Sequence, residues 1–320
     1  MSVLESLLSD RRRPATSDVD AASATESSVT NVLSFDLEHW YTATLLRDEV
    51  RAPTGRLEES VRLVCELLDA RDVRATFFVV GQVAAEYPEL VRALAEDGHE
   101  IATHGHTHTP LFELTPGEFE AELADSADAI GEATGTRPIG FRAPNFSITP
   151  KTRWAFDVLS ESDLQYDSSV FPVRTPMYGV SSAPVRPYRV AVDDPFSVTA
   201  TGTDLLEFPL ATFHPTLRIP TAGGFYARLQ PTWLLRRGIR NLNRRGIPAT
   251  LYFHPWEFNP AVETIEPPGH KRLVSFHGID TLAGKLDSLL ALFEFDTLEQ
   301  RLDDYDGRST SRERRNRTSG

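Results

Sequence analysis

The 320-residue chain holds one cysteine, Cys65, so an intrachain disulfide is excluded and stability has to come from packing. Lysine is nearly missing as well. Lys151, Lys271 and Lys285 are the only three, arginine supplies the rest of the positive charge, and the formal net charge is −13. A chain this acidic lacks the basic surface that nucleic-acid binding requires. It suits a high-salt cytoplasm, although GC-rich coding also favours arginine over lysine. No run reaches the roughly 18 apolar residues of a membrane span. Nor does an apolar stretch of signal-peptide length follow Arg11, Arg12 and Arg13. The expectation is a cytoplasmic chain without a transmembrane segment, for which a homo-oligomer stays open.

The chain is long enough for one large α/β domain or two small ones. Residues 1–28 are polar and poor in large apolar side chains, so they read as a disordered lead-in. Residues 306–320, with Arg312, Arg314, Arg315 and Arg317, read as a basic disordered tail. Between them, over 29–305, strand-like and helix-like patterns alternate. Val32 to Phe35 predicts a strand, Leu57 to Leu68 a helix, Ala75 to Val80 a buried strand, and Val83 to Ala95 an amphipathic helix stopped by Gly98. Cys65 falls in the first helical pattern with Val61, Val64 and Leu68, where it packs as a small apolar residue. Glu100 to Thr103 predicts a strand, Pro116 to Ala133 a helix with Thr115 as N-cap, and Gly140 to Arg142 a short strand. Strand-like runs follow at Leu205 to Pro209 and Ala249 to Phe253, and helical ones at Pro231 to Arg244 and Thr281 to Phe293. Such alternation predicts a parallel α/β fold, open or barrel-like, whose chemistry collects at the carboxyl ends of the strands.

The polar clusters obey that rule. His104-Gly105-His106-Thr107-His108 follows one strand-like run, and Ser34-Phe35-Asp36-Leu37-Glu38-His39-Trp40 contains the end of another. Arg142 and His254 close two more. Two histidines four apart can be aimed at one ion, and two histidines with one carboxylate leave positions open for water and substrate. Asp36 and Glu38 are two apart, so in a strand they share a face while Leu37 points into packing. His39 faces away if the strand continues and reaches the ion if the chain turns.

These motifs give the chain a specific resemblance. Phe35-Asp36, Ala75-Thr76-Phe77-Phe78-Val79-Val80-Gly81, His104 through His108 and Arg142-Ala143-Pro144 resemble the ordered motifs of the polysaccharide deacetylase (NodB-homology, carbohydrate esterase family 4-like) family. Gly223-Gly224-Phe225-Tyr226, His254-Pro255-Trp256-Glu257-Phe258 and Lys285-Leu286 resemble its branch from exopolysaccharide loci, and the Asp-x-Glu spacing resembles peptidoglycan-deacetylase-like members. The resemblance implies a distorted (β/α) barrel as the catalytic domain over 29–305. It also implies metal-dependent removal of N-acetyl groups from a sugar or polysaccharide, with release of acetate.

Carried onto this chain, the resemblance implies Glu38, His104 and His108 as ligands of a divalent metal, most readily Zn²⁺, with His106 only a neighbour. Asp36 is then the base and His254 the acid. Arg142 orients Asp36, since a guanidinium can hold a carboxylate by two hydrogen bonds. Asp167 resembles the acid that holds the histidine. The Asn145 N–H is a candidate donor to the oxyanion. Trp40, Tyr41, Phe146, Tyr226 and Trp256 are candidates to border the sugar cleft. Gly223-Gly224 predicts a close backbone turn, not a phosphate loop. Two other readings stay open: a cyclic imide or ureide amidohydrolase on the same barrel, and a non-catalytic glycan-binding relative.

Overall fold

The computed structural model describes residues 29–305 apart from 43–45, 47–49, 51–54, 176–177, 192, 199–201 and 263–268. The expected lead-in and tail lie outside the described residues. Among the described residues nine strands form one sheet: β1 (Asn31–Leu37), β2 (Thr76–Val79), β3 (Glu100–Thr103), β4 (Gly140–Phe141), β5 (Tyr166–Asp167), β6 (Tyr188–Ala191), β7 (Gly202–Glu207), β8 (Thr250–Phe253) and β9 (Phe295–Asp296). Their order is β6-β7-β5-β4-β3-β2-β1-β8, with β9 also beside β1. Neighbours run parallel throughout, except that β6 is antiparallel to β7. Among the described residues the end strands β6 and β8 do not pair with each other, so the sheet curls without closing. The fold is a distorted (β/α) barrel left open at one seam.

Every residue of β1 is buried, as expected of a central parallel strand covered on both faces. Its apolar side chains pack against the neighbouring strands, with the Phe35 ring stacked 5.2 Å from Phe77 and tilted 6.1 Å from Phe253. Around the sheet lie α1 (Leu57–Asp69), α2 (Gly81–Glu86), α3 (Pro88–Glu96), α4 (Pro116–Thr134), α5 (Ala155–Glu161), α6 (Gly224–Leu229), α7 (Thr232–Asn243), α8 (Gly269–Phe276), α9 (Ile279–Leu290) and α10 (Leu298–Leu302). Cys65 is half-buried on α1 against the main core, and burial pushes its thiol up to about 12.

The longest helix, α4, starts as the sequence indicates. The Glu118 N–H donates to Thr115 Oγ1, and Glu118 Oε2 accepts from the Thr115 N–H at 2.8 Å, a reciprocal capping box. The expected single helix over Val83 to Ala95 is instead two, α2 and α3. Tyr87 has φ −126° and ψ 55° because the ring of Pro88 disfavours helical backbone at the preceding residue, and Pro88 then opens α3.

At the opposite end of the sheet from the polar clusters, His99 accepts the Ala75 N–H at Nδ1 (3.2 Å) under the Phe77 ring. Burial pulls its pKa down to about 4. A folded-state pKa below the unfolded value means that protonation favours the unfolded chain. This contribution to stability is therefore complete above about pH 6.5 and falls away as the pH drops toward 4. A His99→Gln variant should lose less stability between pH 7 and pH 4.5 than the parent chain, as read by urea denaturation at both pH values.

Candidate active site

One row of paired residues crosses the sheet at its carboxyl edge: Leu37 beside Val79, Val79 beside Thr103, Thr103 beside Phe141, Phe141 beside Asp167, and Asp167 beside Glu207. Register alone thus places the residues that follow, Glu38, His104, Arg142 and Ser168, along a common rim. His254 joins them one residue beyond β8. There they meet a cavity of about 290 Å³ lined by Asp36, Glu38, His104, His108 and His254, with Asn145 and Phe146 among its walls.

Asp36 and Glu38 both face this cavity while Leu37 is buried in the main core, as strand alternation requires. Arg142 is the largest fully buried side chain. Its Nη1 donates to Asp36 Oδ1 (2.6 Å) and Ser34 Oγ (2.9 Å), its Nε to the Ser168 carbonyl (2.9 Å) and its Nη2 to Ser168 Oγ (2.9 Å). The expected pair of bonds to Asp36 is therefore one, because β1 and β5 share the guanidinium. Its face also covers the Phe78 ring at 4.0 Å.

His104 Nδ1 lies 2.7 Å from the Arg142 carbonyl. That acceptor fixes the tautomer, with the proton on Nδ1 and the lone pair on Nε2. Burial pulls the His104 pKa down to about 4, so the ring is neutral at physiological pH. Nε2 is 4.0 Å from Asp36 Oδ2. His108 Nε2 meets Glu38 Oε2 at 2.8 Å, and His254 Nε2 is 3.5 Å from Glu38 Oε1. Burial opposes the charge on Glu38, but the neighbouring imidazoles overcome it and hold its carboxyl at about 2. Among the described residues, no three His, Cys, Asp or Glu side chains are already drawn together as a metal cage. His108, Asn145 and Phe146 have φ of 60°, 57° and 50°, so three wall residues sit in left-handed backbone that non-glycine residues seldom adopt.

Other sequence expectations land elsewhere. His39 turns toward Glu86 (3.3 Å) and stacks on Tyr41, away from the cavity. His106 lies against Gly81, outside the cavity lining. Asp167 does not hold His254. It accepts from Ser169 and sits beside Glu207, whose carboxyl burial pushes well above its usual range, so that Glu207 keeps the proton. Glu257 holds His254 instead, with its Oε2 at 3.1 Å from Nδ1. Burial works against protonation of His254, yet Glu257, Glu38 and Asp36 raise its pKa to about 9.

Trp40 and Tyr226 do not line the cavity: Trp40 packs on Phe276, and Tyr226 bonds Tyr178 through the two hydroxyls (3.1 Å). Trp256 stacks on the His254 ring from outside. The aromatic walls that sequence reasoning missed are Phe112, Tyr178 and Tyr252. Phe112 follows the histidine run closely, and Tyr252 belongs to the strand that delivers His254, which is the signal that marks both.

Removing Arg142 would leave Asp36 buried without its cation and break the tie between β1 and β5. Arg142→Leu should cost about 3–5 kcal/mol of stability, the range for breaking a buried ion pair from one side. Chemical denaturation measures this directly.

Residues 48–160 match the family model described as polysaccharide deacetylase, and residues 168–303 match a domain of unknown function, DUF3473. A chitooligosaccharide deacetylase from Bradyrhizobium sp. (strain ANU 289) is 38% identical over 31% of this chain and 43% of its own length. A peptidoglycan-N-acetylglucosamine deacetylase from Bacillus cereus is 27% identical over 29% of this chain and 34% of its own. The chain thus spans less than half the length of these curated relatives. A crystal structure from Mycobacterium smegmatis, described as a polysaccharide deacetylase, shares the fold with a TM-score of 0.56 and 22% identity, over 89% of this chain and 94% of that one. With its histidine run and its Arg-Ala-Pro turn inside the matched stretch 48–160, the chain is similar to the polysaccharide deacetylase family.

Proposed function

We propose that the protein is a metal-dependent hydrolase that removes N-acetyl groups from a sugar or polysaccharide and releases acetate. The observation that carries this reading is the meeting of Asp36, Glu38, His104, His108 and His254 in one cavity, with Arg142 locked behind Asp36. A dead descendant has no physical reason to keep all of them. The curated relatives named above are deacetylases of N-acetylated glycans, which supports the same substrate class.

Glu38, His104 and His108 would hold the divalent ion. Their chemistry fits: the Arg142 carbonyl leaves the His104 Nε2 lone pair available, His108 Nε2 stands beside Glu38, and Glu38 is charged. Two imidazoles and a carboxylate suit Zn²⁺ and its divalent neighbours. Such an ion supplies polarisation of the acetamide carbonyl and a more acidic water.

The chain's own groups carry the proton traffic. Asp36, fixed by Arg142, is the base that takes a proton from the attacking water. The Asn145 N–H, in the left-handed turn at the cavity wall, is the backbone donor for the developing oxyanion. His254 gives a proton to the departing amine as the C–N bond breaks. Phe146, Tyr178 and Tyr252 enclose the sugar, and Phe112, 62% exposed at the same cavity, offers a ring face to it.

Asp36→Asn should reduce acetate release from N-acetylated chitooligosaccharides by about a hundredfold or more. Its divalent metal content, measured by plasma mass spectrometry, should stay at the parent level. His104→Ala should lose the metal. Parent-level turnover by Asp36→Asn would remove Asp36 as base, and folded protein that takes up no divalent ion would overturn the metal-dependent reading.

A further inference from the structure

Three motifs of the carboxyl-terminal half have no part in the chemistry above: Gly223-Gly224-Phe225-Tyr226, the glutamate of His-Pro-Trp-Glu, and Lys285. In the structure they form one assembly behind His254. Glu257 Oε2 accepts from both the main-chain N–H (3.0 Å) and Nδ1 (3.1 Å) of His254. With Nδ1 occupied, Nε2 is the nitrogen turned toward Glu38 and the cavity.

The second carboxylate oxygen of Glu257 is equally committed. Oε1 takes Arg228 Nε at 3.1 Å and lies 3.0 Å from Nη2. Arg228 in turn donates from Nη1 to the His277 carbonyl and from Nη2 to the Val274 carbonyl, both at 2.8 Å. Glu257 and Arg228 are 2% and 4% exposed, so neither charge is shared with water. Helix α6, which carries Arg228, has only six residues and is pinned at its end. Lys285 Nζ, from α9, donates to the carbonyls of Ala227, Arg228 and Gln230 at 2.9, 2.8 and 2.9 Å.

The glycines let this assembly close. A Cβ on Gly224 would stand 1.8 Å from Glu257 Oε2, and one on Gly223, whose φ is 95°, would stand 2.6 Å from the Tyr252 ring. The start of α6 therefore lies directly against the carboxylate.

We infer that Glu257 is the positioning residue for His254, and that Gly224, Arg228 and Lys285 are the mount that holds its carboxylate against Nδ1. This rests on the proposed role of His254 as the acid. Glu257 touches no substrate. It keeps the Nδ1–H bonded so that Nε2 is presented to the leaving amine, a role that the family resemblance implies for Asp167.

The test combines kinetics with the ring itself. Glu257→Gln keeps the shape of the side chain and should lower kcat by about 10- to 100-fold, the usual cost of losing a group that orients a site histidine, with KM nearly unchanged. Gly224→Ala, which displaces the carboxylate without removing it, should do the same. The double variant His254→Ala/Glu257→Gln should be no slower than His254→Ala alone. Nitrogen-15 NMR of the His254 ring, recorded at alkaline pH where the ring has given up one proton, should show the remaining proton on Nδ1 in the parent protein and a loss of that preference in Glu257→Gln and Gly224→Ala. Parent-like ring signals and kcat in folded Glu257→Gln, or losses that add in the double variant, would overturn the positioning role. Full activity in His254→Ala would overturn the acid reading itself, and the ring signals of the parent and Glu257→Gln would still show whether Glu257 orients the imidazole.

Discussion

A guanidinium withdrawn from water is tolerated only where its donors are taken and its charge is answered, and Arg142 meets both conditions at the centre of the rim. Four hydrogen bonds reach β1 through Ser34 and Asp36 and the end of β5 through Ser168, and Phe78 of β2 covers its face. The main chain of the same residue joins two further parts of the site, its N–H donating to Thr103 at the end of β3 and its carbonyl accepting from His104. The side chain that orients the proposed base and the backbone that orients a proposed ligand thus belong to one residue. Neither can be adjusted without moving the other.

Behind Arg142 lies the pair Asp167 and Glu207, buried and adjacent. Two carboxylates at that depth cannot both stay charged, and the shared proton resides on Glu207. The remaining negative charge on Asp167 counters Arg142 from below while Asp36 counters it from the cavity. Asp167 also bonds Ser169, whose hydroxyl accepts the Ala143 N–H at 2.8 Å. It therefore supports the turn bearing Arg142 rather than His254.

Much of the site was legible because its logic is local. The two-residue period of a strand put Asp36 and Glu38 on one face, and the rule of carboxyl ends gathered His104, Arg142 and His254 before any contact was known. What stayed hidden depends on contacts distant in sequence or on segments too short to show a period. β4, β5 and β9 have two residues each, and β6 is an antiparallel edge strand. Whether an acid near position 167 or one three residues past His254 would reach the imidazole was decided by the tight turn at Pro255 and by Arg228, a residue with no local signature. The aromatic candidates divided for a similar reason: Trp40 and Trp256 flank site residues in sequence, yet their rings are spent on packing.

The open sheet places its first strand between segments that are far apart in the chain. β1 pairs with β2 on one side and with β8 and β9 on the other, and Asn31 Oδ1 accepts the N–H of Ala249, 218 residues away. The two stretches recognised by separate family models are thus not beads on a string, because the second supplies a wall of the strand that precedes the first. During synthesis β1 emerges early and must wait, with one apolar flank and one row of backbone donors uncovered, until most of the chain has been made. Assembly of the rim is therefore a late event in the life of each molecule, and a nascent chain released before β8 arrives has an exposed strand edge where the proposed active site should be.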